Sequence, residues 1–154
     1  MNYLLDTNIV LIYSRDSEIS DQIEKDYNLF SENNQLFVSV VTVGELESIM
    51  IQRNYGQRKI ERVQELLNQF SIIDVNIREI IQRYGQIDAY SQGKHPLLKS
   101  TFSSRNMGKN DLWIAATSSV YDLVLITTDN DFNHLSEEFI KLEKVDISRY
   151  KTNK

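Results

Sequence analysis

The sequence alternates between short apolar runs and longer amphipathic segments. Four apolar runs have the length and composition of buried strands: residues 4–5, 36–41, 71–75 and 123–126. Residues 142–147 are a weaker fifth candidate. Strands that alternate with helices form a parallel sheet that is covered by helices on both faces. The sequence therefore predicts an α/β fold built around a central parallel sheet.

The segments between the strands carry the periodicity of helices. Three of them place apolar residues on one helical face, at spacings of three or four. These residues are Ile19, Ile23, Tyr27 and Phe30; Ile60, Val63, Leu66, Leu67 and Phe70; and Ile77, Ile80, Ile81, Tyr84 and Ile87. A fourth segment, residues 112–121, is apolar on most sides. It predicts a central helix, with Trp113 and Tyr121 in the core.

Length and composition suit one globular domain. The chain has 154 residues, enough to bury a substantial core, and residues 149–154 are expected to form a frayed basic tail. It has no cysteine, which excludes disulfides and thiolate metal sites and is compatible with a reducing cytoplasm. No segment approaches the roughly 18 apolar residues that span a bilayer, and the N-terminus lacks the pattern of a signal peptide. We expect a soluble cytoplasmic protein that does not contact membranes.

Acidic residues follow strands or begin helices at four places. Asp6 ends the first strand, and Glu45 follows the second. Asp111 opens the central helix, and Asp129 ends the fourth strand with Asp131 beside it. In open parallel sheets, ligands bind beyond the carboxyl ends of the strands. We therefore expect these side chains to meet at one edge of the sheet.

Each acid also has a local structural explanation. Asp6 or Asn8 could cap the first helix, and residues 42–45 (TVGE) match a capping box. Asp111 could interact with a helix dipole, and residues 129–131 (DND) could form a turn.

The combination of acids favours a metal site. Four carboxylates at one edge repel each other and raise each other's pKa unless cations lie among them. Oxygen ligands without cysteine suit Mg²⁺ or Mn²⁺. Such ions orient a phosphodiester, lower the pKa of a bound water and stabilise the leaving oxygen. The pattern therefore predicts a hydrolytic metal centre.

Four segments resemble, in the same order, the motifs of PIN-domain ribonucleases. They are residues 6–8 (DTN), 42–46 (TVGEL), 110–116 (NDLWIAA) and 127–132 (TTDNDF). The likeness is greatest to VapC-type toxins of type II toxin–antitoxin pairs, and it extends over nearly the whole chain. It implies a three-layer α/β/α sandwich with residues 1–148 as one nuclease domain. It also implies Mg²⁺- or Mn²⁺-dependent cleavage of RNA, a homodimer and neutralisation by a cognate antitoxin.

The resemblance also assigns roles to particular residues. The catalytic, metal-binding carboxylates would be Asp6, Glu45, Asp111 and Asp129, with Asp131 as a further metal ligand. Side chains that orient these carboxylates through hydrogen bonds would be Thr7, Asn8, Thr127 and Thr128.

An irregular basic segment leads to Asp111. Residues 93–108 contain the only proline, and no acid occurs between Ala89 and Asn110. The net charge of −5 argues weakly against a nucleic-acid partner, but it conceals this local excess of positive charge. We hypothesise that four basic side chains steer RNA toward the metals through its phosphates: Lys94, Lys99, Arg105 and Lys109. A solvated loop is the alternative. His95 and His134 are expected to be surface or capping groups.

Other functions remain open at this stage. An enzyme that forms an aspartyl-phosphate usually needs a second acid two residues after the first, and that position is Asn8. A non-catalytic RNA- or protein-binding module on the same scaffold and a DNA-directed nuclease are the remaining alternatives.

Overall fold

The computed structural model, which describes residues 1–15 and 17–150, has one sheet of five parallel strands. The strands are β1 (Asn2–Leu5), β2 (Gln35–Ser39), β3 (Ser71–Ile73), β4 (Val124–Thr127) and β5 (Lys141–Lys144). Their spatial order is β3-β2-β1-β4-β5, so β1 lies in the centre between β2 and β4. The predicted parallel sheet is confirmed, and each predicted strand corresponds to one of these five.

Six α-helices connect the strands within the described residues. They are α1 (Thr7–Ser14), α2 (Glu18–Tyr27), α3 (Val40–Gln52), α4 (Gln57–Leu67), α5 (Arg78–Ser91) and α6 (Lys109–Tyr121). Two short 3₁₀ helices follow, at Asn130–Leu135 and Ile147–Tyr150. In this part of the chain, no helix is both long enough and apolar enough to cross a membrane.

The helices cover both faces of the sheet. Alternate side chains of a strand point to opposite faces: Leu5 and Ile126 pack on the layer of α1 to α4, whereas Leu4 and Leu125 pack against α5 and α6. All four of these side chains are fully buried. The chain is therefore a three-layer α/β/α sandwich, as predicted.

The boundary between β2 and α3 differs from the prediction. The predicted strand extends to residue 41, but α3 begins at Val40. Ser39 accounts for the early start, because its hydroxyl accepts a hydrogen bond from the Val41 amide (3.1 Å) and caps the helix. The alternative explanation of residues 42–45 as a capping box is excluded, because Thr42 lies inside the helix.

Three predictions of burial are wrong in detail. Tyr121 is 44% exposed and Ile81 is 49% exposed, because each lies on the solvent side of its helix. The predicted tail begins at Arg149, but Tyr150 is buried and its hydroxyl donates a hydrogen bond to Asp26. The folded chain thus continues through Tyr150, and residues 151–154 lie outside the described part.

Two neighbouring isoleucines of α5 test this arrangement. Ile80 is fully buried, whereas Ile81 is about half exposed. We expect Ile80→Ala to lower the free energy of unfolding by about 2–5 kcal/mol, because it leaves a cavity in the core. The matched Ile81→Ala change should cost less than about 1 kcal/mol. Urea denaturation measures both, and equal losses would contradict the assigned orientation of α5.

Candidate metal centre

Five acidic residues meet at the carboxyl edge of the sheet. Asp6 directly follows β1, and Asp129 follows the neighbouring strand β4. Asp111 lies in the first turn of α6, and Glu45 lies in α3. Three carboxylate oxygens lie within 4.8 Å of one another, one each from Asp111, Asp129 and Asp131. The structure thus brings together side chains from four separate parts of the chain.

Asp6 is the buried member of the cluster and is held by two hydrogen bonds. One carboxylate oxygen accepts from the Thr7 amide (2.8 Å), so Asp6 also caps α1. The other accepts from the Thr127 hydroxyl (2.7 Å). Thr127 in turn accepts from the Asp129 amide (3.0 Å). The hydroxyl of Thr127 therefore connects the two strand ends on which Asp6 and Asp129 lie.

Glu45 is held by a threonine pair. The Thr7 hydroxyl donates to the Glu45 carboxylate at 2.8 Å and lies 3.2 Å from the Thr42 hydroxyl. Because a hydroxyl has a single proton, which Thr7 gives to Glu45, Thr42 must be the donor to Thr7. This role of Thr42 was not predicted from the sequence. Its three-residue spacing from Glu45, which places both on one helical face, was the available signal.

Asp129 and Asp131 complete the cluster at its open side. The Asp129 carboxylate accepts from the Asp131 amide (2.9 Å) and caps the 3₁₀ helix Asn130–Leu135. Asp129 is half-buried, whereas Asp131 is exposed. The turn suggested by residues 129–131 is therefore present, and this turn places Asp129 and Asp131 at the site.

The proposed supporting side chains divide into two groups. Thr7 and Thr127 form hydrogen bonds with site carboxylates. Asn8 is exposed and Thr128 is half-buried. Within residues 1–15 and 17–150, neither side chain forms a hydrogen bond with a site acid. The prediction that Asn8 and Thr128 orient the carboxylates is therefore not supported, whereas Thr42 contacts Thr7, the residue that holds Glu45.

Comparison with known proteins identifies the family. The family model for the PIN domain matches residues 3–138. The chain belongs to the PIN-domain family. No curated protein matches this sequence.

Solved structures share the fold of this PIN domain. A chain of VapBC2 from Rickettsia felis, crystallised with a DNA fragment from its promoter, matches with a TM-score of 0.71 and 21% identity, over 94% of this chain and 98% of that one. VapBC-1 from nontypeable Haemophilus influenzae matches with a TM-score of 0.67 and 24% identity, over 94% of this chain and 98% of that one. FitAcB from Neisseria gonorrhoeae matches with a TM-score of 0.66 and 22% identity, over 91% of this chain and 95% of that one. At these identities the likeness shows the fold alone.

The carboxylates of this PIN domain perturb one another. Burial raises the pKa of Asp6, although the hydrogen bonds from Thr127 and Thr7 oppose the rise. Burial is also the largest cause that raises the pKa of Asp111 from 3.8 to about 7. The negative charges of the other four acids, Asp6, Asp129, Glu45 and Asp131, add to this rise.

The donor set fits a divalent cation. Among the described residues, no lysine or arginine forms an ion pair with any of the five acids; the ion pair found there joins Lys141 to Asp122. Clustered carboxylates without a basic partner need another source of positive charge. Their hard oxygen donors suit Mg²⁺ or Mn²⁺.

The basic segment lies against one side of the cluster. Residues 93–108 are irregular, as predicted, and two hydrogen bonds tie them to the end of α5: Arg105 amide to Ser91 carbonyl (2.7 Å) and Ser104 hydroxyl to Gln92 carbonyl (3.0 Å). Arg105 and Asp131 line the same cavity of about 220 Å³. All four basic side chains of the hypothesis are exposed, namely Lys94, Lys99, Arg105 and Lys109.

Neither histidine belongs to the carboxylate cluster. His95 accepts hydrogen bonds from the Leu97 and Leu98 amides (3.1 and 3.0 Å), so it shapes a turn of the basic segment. His134 lies with its Nε2 2.8 Å from the Ser91 hydroxyl, and burial lowers the pKa of its ring. The two side chains thus have local structural partners.

The raised pKa of Asp111 has a consequence for stability without metal. The folded protein binds this proton more tightly than the unfolded chain, so ionisation of Asp111 opposes folding. The free energy of unfolding should therefore fall as the pH rises from about 4 to about 7, the interval between the two pKa values. Asp111→Asn should remove this loss. At pH 8 the free energy of unfolding should rise by about 1 kcal/mol, after allowance for the partial exposure of the side chain. For a chain of this size, that corresponds to a rise in Tm of roughly 2–4 °C.

Thermal unfolding in chelator from pH 5 to 8 measures this effect. The exposed Asp74→Asn variant is the matched control, since it removes one charge outside the cluster. A lower Tm for Asp111→Asn than for the wild type at pH 8 would contradict the assigned repulsion.

Proposed function

We propose that this PIN domain is a divalent-metal-dependent endoribonuclease that hydrolyses RNA phosphodiester bonds and acts in the cytoplasm as the toxin of a toxin–antitoxin pair. The observation that supports this proposal is the cluster of five carboxylates at the carboxyl edge of the parallel sheet. Binding alone does not require acids to be gathered against their mutual repulsion. Metal-assisted phosphodiester hydrolysis does.

The acids that would hold the metal are Asp6, Glu45, Asp111, Asp129 and Asp131. When bound, Mg²⁺ or Mn²⁺ supplies the positive charge that orients a phosphodiester, acidifies a water and stabilises the leaving oxygen. The protein contributes the fixed positions of its ligands. Thr127 and the Thr7 amide hold Asp6, and the Thr7 hydroxyl holds Glu45. Hydrogen bonds of this kind orient ligating carboxylates and increase metal affinity.

The exposed side of the cluster provides the route for RNA. Asp6 is buried, but Asp131 is exposed and lies next to Arg105. A negative cluster repels the phosphates of an approaching strand, and nearby basic side chains offset this repulsion. We therefore assign phosphate binding to four residues: Lys94, Lys99, Arg105 and Lys109.

The proposed partners follow from the shared fold. A structure from Mycobacterium tuberculosis, described as a member of the VapBC family of toxin–antitoxin systems, matches 94% of this chain and 98% of its own with a TM-score of 0.61 and 19% identity. We propose that this chain binds a cognate antitoxin, and the near-complete coverage of both chains supports this part of the proposal. We also propose, from the family resemblance, that it forms a homodimer.

Cleavage of RNA tests the proposed chemistry. Purified protein with total RNA should give cleavage products in Mg²⁺ or Mn²⁺ and none in chelator. Asp6→Asn and Asp111→Asn should each reduce the rate by at least about 100-fold, because even groups that only orient metal ligands contribute 10–100-fold. Gel analysis of the products measures the rates, and circular dichroism checks that the variants are folded. Asp74→Asn is the matched control. Unchanged cleavage in either site variant would rule out the mechanism.

Charge reversal tests the basic segment. The double change Arg105→Glu and Lys109→Glu should weaken binding of single-stranded RNA at least tenfold and make the affinity less dependent on salt, because phosphate contacts release counterions. Fluorescence anisotropy of a labelled strand at several salt concentrations measures both. Arg58→Glu with Lys59→Glu makes the same change in net charge on the exposed surface of α4. Equal affinities of the two double variants would contradict the assigned phosphate contacts.

A further inference from the structure

A cleft between α3 and α6 opens beside the carboxylate cluster. Its volume is about 500 Å³. The polar and aromatic residues that line it are Glu45, Ser48, Gln52, Asn110 and Trp113. Glu45 belongs to both the cluster and the cleft, so the two are continuous. A substrate group adjacent to the reacting phosphate can therefore reach this cleft.

Trp113 gives the cleft a rigid aromatic wall. Its ring packs against Tyr84, with the ring centroids 4.4 Å apart and the planes inclined by 44°. The side chain is half-buried and lines the cleft. Within the described residues, the indole N–H donates no hydrogen bond. A second flat group could thus lie against Trp113 in the cleft, and the packing on Tyr84 holds the indole in position.

The polarity of the cleft selects a neutral group over a phosphate. Glu45 is the one charged side chain among the lining residues, and it is assigned to the metal. Because no lysine or arginine in the described part of the chain lines the cleft, it offers no positive charge to a phosphate. The remaining polar groups are the neutral side chains of Ser48, Gln52 and Asn110. Gln52 donates to the Ser48 hydroxyl (2.7 Å), which leaves the Gln52 carbonyl oxygen as an acceptor. Amide and hydroxyl groups of this kind pair with the polar edges of nucleobases.

We propose that this cleft binds one unpaired nucleobase of a single-stranded RNA, next to the phosphodiester that is cleaved, with the base lying against Trp113. The inference rests on the proposed function and specifies its substrate as single-stranded. Bases of single strands are free to lie on aromatic side chains and to use their edges, whereas bases of a duplex are stacked and paired. Trp113 is thus a substrate-binding residue, separate from the metal ligands.

The fluorescence of Trp113 provides a direct test, because it is the only tryptophan of the chain. The cleavage-deficient Asp111→Asn protein is titrated in Mg²⁺ with an eight-nucleotide single-stranded RNA, and anisotropy of a labelled strand records when binding is saturated. We expect saturable quenching by this RNA. An abasic strand of equal length and an RNA duplex should cause no comparable quenching. Saturated binding of the single strand without quenching would overturn the inference, as would equal quenching by the abasic strand.

Kinetics provide a second test in the wild-type background. Trp113→Leu should raise KM for single-stranded RNA about tenfold, as expected for the loss of one stacked base, with kcat within about threefold. Trp113→Phe should remain close to the wild type, because phenylalanine retains an aromatic face. Tyr121→Leu, at the exposed end of the same helix, is the matched control and should leave KM unchanged.

The outcomes separate this inference from the proposed function. Normal cleavage with an unchanged KM in Trp113→Leu would overturn the base-binding cleft and leave the nuclease proposal intact. Base-dependent quenching by a wild-type protein that cleaves no RNA would support the cleft and overturn the nuclease proposal.

Discussion

The hydrogen bond from Thr127 to Asp6 joins the ends of two adjacent strands that are 121 residues apart in the sequence. Parallel pairing of β1 with β4 brings these ends together, and the same threonine accepts from the Asp129 amide. The bond therefore fixes the buried end of the carboxylate cluster relative to its open end. Parallel pairing in this register brings Asp6 and Asp129 to the same edge of the sheet.

The carboxylate cluster lowers the stability of the folded protein, and the apolar layers offset this loss. Burial and mutual repulsion raise the pKa of Asp6 and Asp111, so the acids oppose folding when no cation lies among them. Stability comes from the two apolar layers on either side of the sheet, where Leu4 and Leu5 point to opposite faces and are both fully buried. Functional sites commonly reduce stability in this way. The PIN domain thus separates the apolar layers that stabilise it from the edge that carries the acidic cluster.

Two acids of the cluster also cap helices. Asp6 caps α1 and Asp129 caps a 3₁₀ helix, yet both remain part of the cluster. A capping carboxylate is already oriented by a backbone amide, which suits the metal-binding role that we propose for it. The basic segment and the cleft of Trp113 flank this edge. In the proposed arrangement, phosphates contact the basic side chains while a neutral base enters the cleft.

The sequence by itself determined the order of the strands and of the helices α2, α4, α5 and α6, because the apolar pattern of each segment depends only on neighbouring residues. It also determined that acids follow the strands, which was sufficient to predict the edge where Asp6 and Asp129 meet. Only the tertiary structure decided that Ser39 rather than Thr42 caps α3. It also decided that Thr42 supports Glu45 through Thr7. Finally, it decided that Tyr121 faces solvent whereas Trp113 lines a cleft. These outcomes depend on which side chains meet across the fold, and local periodicity carries no information about such partners.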